Sequence, residues 1–314
     1  MADLPAIAVV GATAVGKSAL AIELARALGG EIVNADSMQL YRGMDIGTAK
    51  LRPDARGGIR HHLLDLYDVS EPAAVAEYQR IARRLVEDLR GAGTTPVLVG
   101  GSGLYVRAVL DDLEFPGTDP AVRARLETEL SEVGSGVLHQ RLAGLDPVAA
   151  ERILPGNGRR IVRALEVIEL TGREFTAKLP APRYALPAVQ VGLTLDRDEL
   201  DRRITLRVHQ MWAEGLVAEV RALVARGLRE GRTASRALGY AQILRFLDGE
   251  IDEDAAREET VRATRKFARR QEAWFGRDAR VHWLRADRPD LLEAALAVIA
   301  TPSEAGTDRA GSVP

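Results

Sequence analysis

Residues 11–18, GATAVGKS, have the types and spacing that bind phosphate. They match the pattern G-x-x-x-x-G-K-[ST], in which glycines let the backbone curl so that successive N–H groups point inward. An apolar run, 6–10, precedes them and a helical pattern, 18–28, follows. The start of that helix adds unpaired N–H groups and its positive dipole end. We therefore expect a di- or triphosphate to be bound by Gly11, Ala12, Thr13, Ala14, Val15, Gly16, Lys17 and Ser18.

Three side chains near this segment could add specific chemistry. Lys17 supplies a positive charge, and the Ser18 hydroxyl is placed to hold a Mg²⁺ shared with the phosphates. Asp36 follows an apolar segment, 31–35, that is predicted to be a strand. Ligands of an open α/β sheet bind beyond the carboxyl ends of its strands, so Asp36 is expected near the phosphate loop. It could bind the metal, accept a proton or simply cap the next turn, and the residue types alone do not separate these roles.

The elements that must position these residues follow an alternating pattern. Apolar segments at 6–10, 31–35 and 96–99 each run into a polar or Gly-rich loop, with helical patterns between them. From 119 to about 176 the pattern is entirely helical, and strands are predicted again at 189–195 and 281–284. We expect an α/β fold: a P-loop NTPase-like core with a parallel sheet flanked by helices, plus an inserted all-helical lobe. The predicted divisions are 1–115 and 189–300 for the core, 116–188 for the lobe and 301–314 for a disordered tail.

Composition narrows the functional classes. The chain of 314 residues has no cysteine, which excludes disulfides, thiolate metal sites and cysteine nucleophiles. Its net charge is only −2, so any nucleic-acid binding must use local basic surface. No apolar run is long enough to cross a bilayer, and the first residues lack a basic leader. A cytoplasmic protein without membrane contact is expected.

Two arginine-rich segments could supply local basic surface. One contains Arg159, Arg160 and Arg163 in the predicted lobe, and the other covers 262–270 next to Trp274. Both could contact phosphate backbones, but a solvated helix face paired with glutamates is an equally good interpretation of the first. His61 and His62 are poor metal candidates because adjacent positions on a strand point apart.

Taken in order, several segments resemble the bacterial tRNA dimethylallyltransferases, isopentenyltransferases that modify the adenosine just 3′ of the anticodon. They span nearly the whole chain except its tail, and the block from 36 to 50 is the most specific. The segments are GATAVGKS (11–18), DSMQ (36–39), YRGMDIGTAK (41–50), HHLLD (61–65), VGGSGLY (99–105), RALEV (163–167), GY (239–240) and TRKFARRQ (264–271).

The resemblance implies a reaction and roles for particular residues. The loop would hold the diphosphate of dimethylallyl diphosphate, and Asp36 would take a proton from the adenine N6 amine. Lys17, Mg²⁺ and Arg207 would neutralise the departing diphosphate. A monomer would grip the tRNA anticodon stem-loop with its helical lobe and turn the target base into a channel. The positions that match RNA contacts are Asp36, Ser37, Met38, Gln39, Ser102, Arg123, Arg159, Arg160, Arg163, Arg236, Gly239, Tyr240 and Gln242.

The sequence departs from the family pattern at three positions. Ala12 replaces a common proline, Val15 stands where a small residue is usual, and Ser102 replaces a frequent threonine but keeps a hydroxyl. The main rival is a P-loop small-molecule or nucleotide kinase, which would use the same loop for ATP and move a phosphoryl group. A binding-only P-loop switch is a third class. The transferase is preferred because of the block from 36 to 50.

Overall fold

Strands alternating with helices form the described chain, residues 4–175 and 179–301 of a computed structural model. The elements in chain order are β1 (Ala6–Gly11), α1 (Lys17–Ala27), β2 (Gly30–Asn34), β3 (His61–His62), α2 (Val75–Gly91), β4 (Thr95–Val99), α3 (Gly103–Leu110), α4 (Pro120–Leu145), α5 (Pro147–Arg152), α6 (Gly158–Thr171), β5 (Ala188–Thr194), α7 (Arg197–Ala213), α8 (Leu216–Val224), α9 (Tyr240–Leu247), α10 (Glu253–Phe275), β6 (Val281–Arg285) and α11 (Leu291–Ala300). Two short 3₁₀ helices span Pro53–Arg56 and Ala234–Arg236. Beyond Thr301, the predicted tail lies outside the described residues.

The strands form one sheet in the order β3-β2-β4-β1-β5-β6, and every neighbouring pair is parallel. β1 lies between β4 and β5 and is buried along its whole length. A parallel strand covered on both faces is apolar at successive positions, which is why the run before the phosphate loop reads AIAVV. The predicted α/β fold with a parallel sheet is confirmed. The loops after β1, β2 and β4 all leave the sheet at the carboxyl ends of its strands.

The core of the sheet is built from small and branched apolar side chains. Leu20 and Leu24 of α1 pack with Ile7 and Val9 of β1 and with Val191 of β5, and each is at most 1% exposed. This packing fixes the start of α1 against the end of β1. The phosphate loop between them is therefore held at both ends by buried elements.

The chain divides into two compact units. The first comprises Met1–Asp112 and Tyr184–Pro314, and the second is Leu113–Arg183, which is close to the lobe predicted at 116–188. The second unit has its own core, including Leu126 and Leu138 of α4 and Leu165 of α6. Gly134 inside α4 has a non-helical backbone, so two helical stretches meet there at a kink. Within the described ranges, no helix combines the length and apolar character needed to cross a lipid bilayer.

Candidate functional site

The phosphate loop forms a tight turn between β1 and α1. Gly16, just before α1, has φ 112°, a left-handed conformation that favours glycine. The Lys17 ammonium folds back over the loop and donates a hydrogen bond to the carbonyl oxygen of Ala12 at 2.6 Å. Ala12 and Val15, the two departures within the loop, are both buried. Two side chains of the loop are therefore packed in the protein interior, while its ammonium group lies where it can bind an anion.

Three charged groups interact at the edge of the sheet. Burial lowers the pKa of Lys17 to about 8; the negative charge of Asp36 opposes this shift, whereas Arg207 adds to it. Burial likewise raises the pKa of Asp36, against the hydrogen bond from Met38 and the charge of Lys17. Lys17 thus lies within electrostatic reach of both Asp36 and Arg207, and the last two residues line the same cavity.

Asp36 combines a turn role with an open position. Its Oδ1 accepts a hydrogen bond from the backbone N–H of Met38 at 2.9 Å, so the turn cap considered from the sequence is present. Asp36 also lines a cavity, as do its neighbours Ser37 and Met38. A desolvated carboxylate facing a cavity is a candidate general base, because its raised pKa makes it a stronger proton acceptor.

The cavity has a volume of about 530 Å³, and all its lining residues belong to the first unit. Arg207 lines it from α7, and burial and the nearby Arg203 lower the pKa of its guanidinium. Among the described residues no hydrogen-bond or ion-pair partner of Arg207 is found. A desolvated cation without a counter-ion is well suited to neutralise an incoming anion. The other lining residues include Thr13, Ala14, Ser102, Arg236, Gly239, Tyr240, Thr264, Phe267, Arg270, Gln271 and Trp274.

The loop from 36 to 50 is held by ionic contacts to the buried side chain of Lys50. Lys50, whose side chain is 4% exposed, donates to Asp45 and Asp65 at 2.6 Å each, and to the carbonyl oxygen of Tyr41 at 2.9 Å. On its other side, Glu219 of α8 accepts the backbone N–H groups of residues 45, 46 and 47. Asp45, a weak catalytic candidate from the sequence, is thus part of the loop's own structure.

Several predicted RNA contacts have internal roles in this unit. Gln39 donates to the carbonyl oxygen of Thr48 at 3.1 Å, and Gln242 accepts the backbone N–H of Gly239 at 2.9 Å. Neither lines the cavity, whereas Gly239 does. The buried Tyr240 also lines it and donates its hydroxyl to Glu219 at 2.5 Å. Gly239 and Tyr240 thus form part of the cavity wall, and contact with RNA stays a prediction for all four residues.

Ser102 and Arg236 lie at the cavity itself. The Ser102 hydroxyl accepts the backbone N–H of Ser37 at 3.3 Å, so the serine that replaces threonine keeps a useful hydrogen bond. Arg236 is exposed. Both positions are therefore accessible from the cavity.

The predicted arginines of the second unit fall into two groups. Arg123 and Arg163 both bind Glu166, a carboxylate with no exposed surface; the Arg163–Glu166 contact is 2.7 Å. Burial alone would raise the pKa of Glu166, but the hydrogen bonds from these two arginines outweigh it and lower that pKa. Arg159 and Arg160 are exposed. The glutamate-paired interpretation thus holds for Arg163.

The sequence analysis missed Glu219 and quoted Gln271 only as the last residue of a resembling segment, without a role. Both are polar residues in helices whose partners are distant along the chain. Glu219 accepts from residues 172–174 positions away, and Gln271 bonds Thr13 and Gly101, 258 and 170 positions away.

The donor atoms present suit a metal held mainly by phosphate. Within residues 4–175 and 179–301 no group of three or more His, Asp or Glu side chains could hold an ion. Ser18, in the first turn of α1, is exposed. A hydroxyl supplemented by phosphate oxygens and water is a usual Mg²⁺ environment, so Ser18 fits the predicted role. His62 instead pairs with Glu31 at 2.5 Å.

Comparison with known proteins gives consistent matches. The family model described as IPP transferase matches residues 39–278. A tRNA dimethylallyltransferase of Thermobifida fusca is 65% identical over 303 residues, covering 95% of each chain. One from Streptomyces coelicolor is 64% identical, covering 94% of this chain and 96% of the relative. The crystal structure of a tRNA isopentenylpyrophosphate transferase from Bacillus halodurans superposes with a TM-score of 0.69 at 39% identity, covering 94% of each chain.

Proposed function

Because this chain belongs to the IPP transferase family and is a tRNA dimethylallyltransferase, we propose that it alkylates N6 of the adenosine 3′ of the anticodon. The product is N6-isopentenyladenosine. The observation that carries this proposal is that Asp36 and Arg207 line one cavity, while Lys17 of the phosphate loop lies within electrostatic reach of both. We assign Asp36 to the acceptor half of the reaction and the two cations to the donor half.

Asp36 acts on the acceptor. The exocyclic amine of adenine is a weak nucleophile, since its lone pair is delocalised into the ring. Asp36 accepts the N6 proton as the new N–C bond forms, so no positively charged amine has to accumulate. Its desolvation supports this role, because a raised pKa increases basicity.

The donor half depends on charge neutralisation. The C–O bond between the allylic carbon and the diphosphate breaks, and the diphosphate leaves with the electron pair. Lys17 and the loop N–H groups bind the departing charge, and Arg207 neutralises it from α7. Bound Mg²⁺, held by Ser18, would supply further positive charge to the diphosphate.

The acceptor RNA is bound by groups around the cavity and in the second unit. We assign Arg236, Ser102 and the 36–39 segment to the flipped nucleotide, and Arg159 and Arg160 to the phosphate backbone. Apart from Gln39, these positions are exposed or line the cavity, which supports contact with an entering strand. We also propose that the enzyme acts as a monomer in the cytoplasm.

The direct test is an incubation of the purified chain with Mg²⁺, labelled dimethylallyl diphosphate and an anticodon stem-loop. The stem-loop carries adenosine 3′ of the anticodon, and a matched stem-loop carries guanosine there. We expect label in the first RNA only. Label in neither RNA, with ATP consumed and its phosphate moved to a small molecule, would instead support the kinase.

A further inference from the structure

Gln271 in α10 joins two of the loops that meet at the cavity. Its side-chain Oε1 accepts the backbone N–H of Thr13 in the phosphate loop at 2.8 Å. Its Nε2 donates to the carbonyl oxygen of Gly101, in the loop after β4, also at 2.8 Å. The residue is only 5% exposed, and both ends of its amide are engaged. The amide therefore has one orientation. Reversing it would place its NH₂ group against the Thr13 N–H and its oxygen against the carbonyl oxygen of Gly101.

The loop after β4 is shaped to receive this amide. A Cβ atom added at Gly101 would lie 2.0 Å from Nε2 of Gln271, far inside van der Waals contact. Only glycine therefore permits the hydrogen bond at this position. Gln271 and Gly101 form one matched contact between α10 and the sheet edge.

The contact continues to the proposed base. Ser102 follows Gly101, and its hydroxyl accepts the backbone N–H of Ser37, the residue after Asp36. A hydrogen-bonded path thus runs from Thr13 through Gln271 and Gly101–Ser102 to Ser37. It connects the donor loop to the loop that carries Asp36.

We propose that Gln271 is a positioning residue for prenyl transfer: it fixes the donor loop and the Asp36 loop at the separation that brings N6 of adenine onto the allylic carbon. The proposal rests on the proposed function, in which these loops hold the donor and the base. Gln271 uses the Thr13 N–H for a neutral amide, so that N–H is not a ligand of the diphosphate. Its effect therefore falls on the rate of transfer and not on donor affinity.

The test is Gln271→Met in the full chain, which keeps the side-chain length but removes both hydrogen bonds. Single-turnover transfer is measured with saturating labelled dimethylallyl diphosphate and the anticodon stem-loop. We expect the rate to fall about 100-fold, since a misplacement of about 1 Å costs that much. Calorimetric titration with inorganic diphosphate and Mg²⁺, and with the RNA, should give dissociation constants within about 3-fold of wild type, as expected for a group that acts on the reaction geometry alone.

Two further variants separate positioning from general stability. Gln271→Glu keeps an acceptor for Thr13 but has no donor for Gly101, so we expect a smaller loss of rate than in Gln271→Met. Gln79→Met is the matched control: Gln79 Nε2 donates to the carbonyl oxygen of Ala108 at 2.9 Å, joining α2 to α3, and neither residue lines the cavity. Its rate should equal that of wild type.

Three results would overturn the inference. One is a transfer rate for Gln271→Met close to that of wild type. Another is a parallel loss of diphosphate binding, RNA binding and melting temperature, which would make the residue merely structural. The third is an equal loss of rate in Gln79→Met. Asp36→Asn, measured in the same assay, distinguishes the two proposals. If wild type and Gln271→Met both transfer label at similar rates and Asp36→Asn does not, the role of Gln271 is contradicted and the proposed function stands.

Discussion

At the scale of single residues, the site concentrates charges that are costly to bury. Lys17, Asp36 and Arg207 are all desolvated, and burial shifts each pKa against its charged form. Such groups lower the stability of the folded chain, so their presence together at a cavity is typical of a functional site. A bound diphosphate reduces the free-energy cost of burying the two cations, because it supplies the opposite charge.

Asp36→Asn tests both consequences of this burial. Removing a general base lowers a rate by about 10²–10⁴-fold, so transfer should nearly disappear. At pH 7 the same change should raise the melting temperature, because it replaces a desolvated carboxylate by a neutral amide that still accepts from Met38. Calorimetry and the labelled-RNA assay measure the two effects; Asp54→Asn, at an exposed position in the 3₁₀ helix Pro53–Arg56, should change neither.

The pH dependence has a definite sign. Because the folded-state pKa of Asp36 lies above its ordinary value of 3.8, its ionisation destabilises the folded chain as pH rises through that raised pKa. The ionised form is the active base, so kcat/KM for RNA should fall as pH decreases through the same raised pKa. Retention of full transfer by Asp36→Asn, or an acid limb at an ordinary aspartate pKa, would contradict the base assignment.

The sequence predicted the residues whose roles are local. The phosphate loop and Asp36 follow from the residues around them, because a strand end and a glycine pattern are short-range features. Glu219 and Gln271 could not be predicted this way, since their partners are distant in sequence. Their roles depend on which helix faces return to the sheet edge.

At the scale of elements, the loop from 44 to 50 is a cross-linked unit of the cavity wall. Glu219 accepts its backbone N–H groups on one side, and on the other Lys50 binds Asp45 of the loop and Asp65, which lies beyond β3. Tyr240 of α9 lies against it and shares Glu219. The similarity block from 36 to 50 thus reflects packing as well as chemistry.

Gly47→Ala tests how tightly this loop packs. A Cβ at Gly47 would lie 2.5 Å from the ring of Tyr240, so the loop or the ring must move. Overpacking of this kind costs about 1–3 kcal/mol. We expect that loss in the free energy of unfolding, measured with urea, together with weaker transfer. Gly91→Ala, where a Cβ meets nothing within 4 Å, is the control and should not destabilise. Equal free energies of unfolding for the two variants would show that the loop accommodates the added methyl group without loss of stability.

Most elements were predictable because buried parallel strands are continuous apolar runs. β1, β2, β4, β5 and β6 begin and end within one or two residues of their predicted positions. β3 is only His61–His62, too short to give a pattern, and lies just before the apolar run 63–66. Strand order could not be predicted, because it depends on which strands hydrogen-bond edge to edge, and those strands are distant in sequence.

At the scale of the whole molecule, two units with separate cores divide the chain. The lobe was predictable because the strand pattern stops and a purely helical one begins. The ionic contacts around Glu166 inside the lobe, its internal ionic centre, were less predictable. Glu166 accepts from Arg123 and Arg163 and from the backbone N–H of Asp119, and thereby joins the start of α4 to α6.

Glu166→Gln tests whether this centre holds the lobe. Losing a charged acceptor that is buried costs about 1–3 kcal/mol. We expect a lower melting temperature and weaker RNA binding, while inorganic diphosphate binding at the first unit is unchanged. Since the pKa of Glu166 is lowered in the folded state, its contribution is present above its unfolded value and is lost as pH falls through the lowered pKa.

The matched control is Glu169→Gln on the same helix. Glu169 pairs with Arg125 at the surface, where its side chain is 39% exposed, and a solvated pair contributes little. Its melting temperature should match that of wild type. A drop equal to that of Glu166→Gln, or a loss of diphosphate binding in either variant, would argue against a separate ionic centre in the lobe.

The bond between Thr13 and Gln271 also has a consequence for biosynthesis. These residues are 258 positions apart, and β1 pairs with β5 only after the entire lobe has been translated. All the core residues of the lobe lie between Leu113 and Arg183, so a nascent chain can complete the lobe while α10 is still within the ribosome. The cavity is complete only once α10 has emerged, because several of its lining residues belong to that helix. A ribosome-bound chain that already presents Arg159 and Arg160, our proposed RNA contacts, therefore lacks the complete cavity that alkylation requires.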